Sequence, residues 1–226
     1  LRYIRFFLNY SKQSHNLKTV KNLKMNINGV SKLSKERLLD ELKKITKIYS
    51  LEKLSKDEIC LDLIQIIFPE LKNISIFSNL DKNKKNLLSD NDFIFFLSLM
   101  IVDESDNVEY FLYKYNLSKK DQKRIRFIHK FFQKKLQNKT FTENKMNNIF
   151  YYEGKDSVID ILKFKLIKSK KNDKNIKDLI NLFDKKIKPI MPINADLLMR
   201  KYNIPKGKML GDKLKMIEEE WVNNNF

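Results

Sequence analysis

Glycine and proline are scarce in this chain, at four each among 226 residues. β-Sheet folds need such residues at their turns, so the shortage excludes a sheet-rich fold and predicts an all-α one. Cysteine is nearly absent. The single thiol, Cys60, excludes an intramolecular disulfide and fits a reducing, cytoplasmic compartment. It lies in the run Ile59-Cys60-Leu61-Asp62-Leu63-Ile64, which reads as core. Long apolar runs are missing too. The longest, Phe93–Val102 and Ile64–Phe68, fall short of the ~18 residues of a membrane span, so no membrane partner is expected. No signal peptide, Gly-rich phosphate loop, Ser-His-Asp order or fixed repeat is visible.

Positive charge is abundant. Lys and Arg number 46 against 28 Asp and Glu, a net +18. Such a balance favours a polyanionic partner. Abundant Asn, Ile and Phe point to an A/T-rich coding bias, which also raises Lys without selection for binding. The distribution is more informative than the sum. Residues 1–50 carry 12 basic against 3 acidic side chains, residues 51–118 carry 7 against 12, and residues 119–226 carry 27 against 13. Coding bias does not make the middle acidic, so the two ends are the expected polyanion surfaces.

Periodicity and caps place helices at Leu1–Lys12 and Asn16–Ile27, the second ended by Asn28-Gly29 in a left-handed turn. Another starts after Ser34, with Leu38, Leu39, Leu42 and Ile45 as its apolar side. Further helices are expected at Asp57–Phe68, Asn91–Met100, Asn107–Tyr115, Lys119–Leu136, Glu143–Phe150, Lys155–Ser169 and Asn175–Ile187. Breaks fall at Pro69, Lys82–Asn86 and Lys170–Lys174. Three of the four prolines lie beyond residue 188. There Asn194–Tyr202 and Lys208–Val222 read as two helices around a turn, with Leu210, Leu214, Ile217 and Trp221 as one packed stripe. The expected domains are 1–50, a neck; 51–188, a helical body; and 189–226, a small helix-hairpin-helix-like tail.

Three blocks carry candidate chemistry. The chain opens Leu1-Arg2-Tyr3-Ile4-Arg5-Phe6-Phe7, without a Met. Arg2 and Arg5 share one helix face, and Ile4, Phe6 and Phe7 mark the buried side. A guanidinium is a rigid fork that fits a base edge or a phosphate; the plain alternative is a solvated basic face. The second block is Leu33-Ser34-Lys35-Glu36-Arg37-Leu38-Leu39-Asp40-Glu41-Leu42. Ser34 caps it, Glu36 favours its positive end, and Glu41 is within reach of Arg37 one turn away. The third runs from Pro192 through Ala195 and Leu198, then Ile204-Pro205-Lys206-Gly207-Lys208-Met209-Leu210-Gly211, to Glu218 and Trp221. Its Gly207 and Gly211 turn, entering a helix between Lys206 and Lys208, offers N–H groups to a phosphate. Alternatively those glycines let two helices pack closely.

Together the blocks resemble the C-terminal part of class II tRNA nucleotidyltransferases, the CCA-adding enzymes, and of bacterial poly(A) polymerases. That family has a Glu-Asp-x-Leu-Arg-x-x-Arg-x-x-Arg-Phe helix. This chain matches it from the Leu onward, with Arg2 and Arg5 on the first two arginines, Leu8 in place of the third and Asn9 in place of the Phe. The resemblance implies that Arg2 and Arg5 bind the nucleotide, Arg2 reading the base edge. It further implies that Ser34, Glu36, Arg37 and Glu41 buttress that pocket from the neck. The implied reaction transfers CMP and AMP from CTP and ATP to a tRNA 3′ end. Two Mg²⁺ ions would be held by a catalytic head preceding Leu1, with no metal ligand in this chain, so the piece alone is expected to be inactive. The sequence leaves open poly(A) addition, a non-catalytic helical nucleic-acid-binding protein, and a helical scaffold with biased codons.

Within the body, Lys119–Lys135 is a basic amphipathic helix carrying Lys123, Arg124, Arg126 and Lys130. It is expected to track the backbone of the tRNA acceptor and T arm, together with Lys206, Gly207, Lys208 and Gly211. A membrane-surface helix and a solvated face are the rival readings. Asp90-Asn91-Asp92 has the form of a magnesium pair but precedes a helical run, so Asp90 or Asn91 reads as a cap. Asp81–Lys85 fails as a calcium loop. His15 and His129 have no cysteine or second histidine at ligand spacing.

Overall fold

The computed structural model describes residues 1–133, 140–169 and 173–226. Among the described residues every regular element is helical, fourteen α-helices and two 3₁₀ segments, as the shortage of turn residues requires. No described helix is long and apolar enough to cross a membrane. The chain divides into two units, Leu1–Lys135 and Leu136–Phe226.

In the first unit, α1 (Arg2–Tyr10) packs against α3 (Lys35–Ile45), α4 (Ile48–Lys56) and α5 (Glu58–Ile67). Between α1 and α3 lie α2 (Leu17–Met25) and a 3₁₀ segment, Ile27–Lys32. Helix α4 rests on a second 3₁₀ segment, Ile74–Phe77, followed by α6 (Lys82–Leu88). Helix α7 (Phe93–Ile101) contacts α8 (Asn107–Lys114) and α9 (Lys119–Gln133). All of Ile94–Ile101 is buried, the expected fate of a helix that is apolar on every side. In the second unit, α11 (Lys155–Lys168) packs on both α10 (Glu143–Glu153) and α12 (Lys174–Lys185). Phe150, Val158, Ile161, Leu162, Phe164 and Phe183 form its core. Helix α14 (Lys208–Asn223) lies on α10 and on α13 (Ala195–Tyr202).

Several boundaries differ from the sequence expectation for local reasons. The expected break at Lys82–Asn86 is α6, because the Asp81 carboxylate accepts the Lys84 N–H at 2.8 Å and Leu88 is buried. Helix α4 was not expected at all. Gly29 is not a left-handed stop: the chain winds on as a 3₁₀ segment, with the Gly29 N–H donating to the Asn26 carbonyl at 3.0 Å. The cap of α7 is Asp92, which accepts the Phe95 N–H at 2.9 Å, and not Asp90 or Asn91. Phe6 is 54% exposed, since the 3.6-residue repeat puts Ile4 and Leu8 on the buried face and turns Phe6 outward. Of the tail stripe, Leu210 is buried and Leu214, Ile217 and Trp221 are half-buried. Lys134, Lys135 and the end of the helix expected to reach Leu136 lie outside the described residues, as do 170–172 of the expected break.

Glycine packing does not explain the tail. A Cβ added at Gly207 or Gly211 would meet nothing within 4 Å. Gly207 is set by its backbone, φ +156°, at the start of α14, whereas Gly211 is an ordinary helical residue. Gly211→Ala is therefore expected to stabilise the protein by about 0.5–1 kcal/mol. A urea titration that showed a lowered midpoint would contradict this account of the turn.

Candidate functional site

The two arginines of α1 converge on one carboxylate of α3. Glu41 has an 11% exposed side chain and pairs with Arg2 Nε at 3.9 Å, Arg5 Nε at 3.4 Å and Lys44 Nζ at 3.0 Å. Burial pushes its carboxyl up, but Lys44, Arg5 and Arg2 outweigh this and hold it below the usual range. The i+4 reach to Arg37 is not used; Glu41 turns instead to the neighbouring helix. Arg5 Nε and Glu41 Oε2 are buried and face each other as an ion pair at 3.4 Å without a hydrogen bond between them. The Arg5 guanidinium also lies 5.0 Å from the centre of the Phe6 ring.

A cleft of about 250 Å³ opens beside this pair, lined by Leu1, Arg2, Val30, Leu33, Arg37, Leu38 and Glu41. Its apolar wall comes from Val30, Leu33 and Leu38, and its polar edge from Arg2, Arg37 and Glu41. Ser34 fixes the start of α3 by accepting the Arg37 N–H at 3.3 Å. Glu36 lies elsewhere, in a groove with Asp40, Asp92 and Asp121.

Leu8 and Asn9 have structural reasons. Leu8 is 2% exposed and stacks one turn beyond Ile4, so an arginine there would point into the core. Asn9 Oδ1 accepts from Ser50 Oγ at 2.9 Å, and the Leu8 carbonyl accepts from Lys53 Nζ at 2.9 Å. Both contacts tie α1 to α4.

The basic face of α9 is partly neutralised. Arg126 grips Glu109 of α8 with Nε and Nη2 at 2.9–3.0 Å, and reaches Gln122 at 3.1 Å. Arg124 pairs with Asp92, the cap of α7. Both arginines therefore hold neighbouring helices, while Lys123 and Lys130 are exposed. In the second unit Lys206, Gly207, Lys208 and Gly211 are all exposed, and the cap of α14 has no side-chain hydrogen bond. That leaves the first N–H groups of α14 facing outward between two lysines.

A cluster missed by sequence spacing lies behind α1. The imidazole of His15 sits against the Phe7 ring, with centroids 3.5 Å apart and planes at 15°. Its Nδ1 meets Tyr3 Oη at 2.7 Å and its Nε2 meets the Asp57 carboxylate at 2.9 Å. Asp57 caps α5 by accepting the Cys60 N–H at 2.8 Å. Burial pushes the Cys60 thiol up, and the nearby Asp57 charge adds to this. The Asp57/Cys60 spacing of three was visible in the sequence as one helical turn; the approach of His15 from 42 residues away was not.

The described residues form two all-helical units in a chain with a strong excess of Lys and Arg. The chain belongs to the tRNA nucleotidyltransferase family: residues 86–226 match the family described as tRNA nucleotidyltransferase domain 2. Comparison with curated proteins gave no match. Arg2, Arg5 and Glu41 lie before the matched range.

Glu41 gives a signed pH dependence. Its folded value is depressed below the ordinary 4.5, so its contribution to stability is present above about pH 4.5 and is lost as pH falls through the folded value. Glu41→Gln should lower stability at pH 7 by about 1–3 kcal/mol, and the gap to the parent should close in acid. Denaturation midpoints with a constant gap from pH 7 to 3 would refute the shared-carboxylate account.

Proposed function

We propose that this chain is the neck, body and tail portion of an RNA 3′-end nucleotidyltransferase that adds CMP and AMP to tRNA from CTP and ATP. Family membership over residues 86–226 carries this reading. The geometry of α1 and α3 supports it. Arg2 is 69% exposed and borders the cleft, so its outer donors are available to a base edge while Nε is steadied by Glu41. Arg5 is only 26% exposed and holds the helix in place. Glu41 thus positions the arginine that reads the base. Arg37, on the cleft wall, has a more direct role in this reading than a buttress would.

The residues present do not fit a two-magnesium centre. Asp92, in the one Asp-x-Asp pair, is committed to the cap of α7 and to Arg124. Metal-assisted transfer is therefore assigned to a head domain of the same polypeptide, outside these residues. This chain's own tasks are to offer Arg2 to the base and to grip tRNA through phosphates. Lys130, Lys206 and Lys208 are exposed and suit that grip best, since Arg124 and Arg126 are engaged within the protein.

The purified chain should bind tRNA with an affinity that falls steeply with salt, and incorporate no nucleotide. CTP incorporation by the chain alone would overturn the division of labour. Joining Lys206→Ala to Lys208→Ala should reduce the slope of log K against log salt by about 1–2. With the head restored, Arg2→Ala should blur the choice among CTP, ATP, GTP and UTP. Unchanged base selectivity would argue against the template role, and addition of A alone by the parent would favour poly(A) synthesis.

A further inference from the structure

The cluster of His15, Asp57 and Cys60 is not used by the reading above. It lies inside the first unit, where the loop after α1 meets the first turn of α5. We propose that these three side chains form a binding site for a transition-metal ion of the zinc class. One ligand atom from each lies within 4.8 Å of the other two. The site is enclosed: the Cys60 residue is 0% exposed, and the side chains of His15 and Asp57 are 10% and 24% exposed.

The donors set the class of ion. One imidazole nitrogen, one carboxylate oxygen and one thiolate sulfur suit Zn²⁺ and its neighbours, whereas Mg²⁺ and Ca²⁺ take oxygen ligands. The ligands are also held in place beforehand. Tyr3 Oη engages Nδ1 at 2.7 Å, which leaves Nε2 as the ligating nitrogen, and Phe7 stacks on the ring and fixes its plane. A hydrogen-bond partner on the second ring nitrogen is the usual support of a metal-bound histidine. Asp57 retains its cap through Oδ1 and turns Oδ2 to the site.

His15 Nε2 and Asp57 Oδ2 are 2.9 Å apart. Two ligands about 2.0–2.1 Å from a tetrahedral ion sit about 3.3 Å apart, so the pair opens by a few tenths of an ångström. The proton balance is simple. The Cys60 thiol proton leaves to solvent, and the imidazole proton shifts from Nε2 to Nδ1, which then donates a hydrogen bond to Tyr3 Oη. Water completes the fourth position on the open side, next to Asp57. The ion would lock the loop after α1 onto α5, and so fix the seat of the helix that carries Arg2 and Arg5.

Cobalt(II) is the probe. Titrating the full chain with Co²⁺ should give one equivalent bound, with a sulfur-to-cobalt charge-transfer band that Zn²⁺ abolishes and excess Mg²⁺ does not. Cys60→Ala should remove the band. Asp57→Asn, which keeps the α5 cap, should weaken binding about tenfold or more, with circular dichroism confirming that each variant is folded. No band in the parent chain would overturn the site. So would undiminished Co²⁺ affinity in both folded variants, which would leave Tyr3, His15 and Asp57 as a metal-free hydrogen-bonded clamp.

Discussion

The first unit depends on how one buried carboxylate is shared. Glu41 faces two guanidiniums of α1 and an ammonium of its own helix, from a position that water barely reaches. A lone charge at that depth would be costly, and it stays ionised only because cations surround it. The same arrangement explains why two arginines three residues apart on a short helix are not simply a solvated face. Arg5 sits close to the carboxylate and is largely withdrawn from solvent. Arg2 touches it at the limit of an ion pair and keeps most of its surface. One acid thus divides two identical side chains into a withdrawn anchor and an exposed arm. The packing of Ile4 and Leu8, on the face next to Arg5, keeps the helix from rolling away.

Charge accounting changes the meaning of the basic composition. A net +18 suggests that any Arg or Lys could meet a phosphate, yet the acidic middle of the chain claims some of the strongest donors. Asp92 and Glu109 take Arg124 and Arg126, and Glu70 takes Lys114 at 2.7 Å. Arg124 and Arg126 are thereby committed to holding helices together, whereas Lys130, Lys206 and Lys208 are exposed. Lysine is a compact, strongly hydrated point charge, suited to sequence-independent contact with a backbone and not to bidentate reading of a base. That matches the division proposed here, with base choice confined to Arg2 on α1 and affinity spread over lysines of α9 and the tail.

The all-α class and the core were legible because they depend on composition and local period. Ser34 as a cap, the burial of Ile45, and the continuous apolar run that became α7 all follow from short-range signals. The errors were local as well. Asp81 and Asp92 each cap a helix through an N–H three residues on, and choosing the wrong member of an Asp-Asn-Asp run shifts a boundary by one or two positions. A lysine-rich stretch looks like a break until its cap and its single buried leucine, Leu88, are seen together. Phe6 is exposed because helical phase, and not aromatic character, sets which residues of α1 face inward. In this helix the buried residues are Ile4 and Leu8, one turn apart, and Phe6 lies off that line.

Long-range contacts were not legible, and they decide the chemistry. The sequence could pair Glu41 with Arg37 by spacing; the fold pairs it with Arg2 and Arg5, from a helix roughly thirty residues away in the chain. Likewise Asp57 and Cys60 were visible as one helical turn, but His15 completes the cluster only because the loop after α1 returns over α5. Tyr3 and Phe7 belong to the same helix as Arg2 and Arg5, on a face rotated toward that loop. Helix α1 is therefore held from two directions, by a carboxylate on α3 and by an imidazole clamp against α5. Its fixed position, on which any reading of a base by Arg2 would rely, comes from those two contacts, from the ties of Asn9 and Leu8 to α4 and from the apolar seam between them.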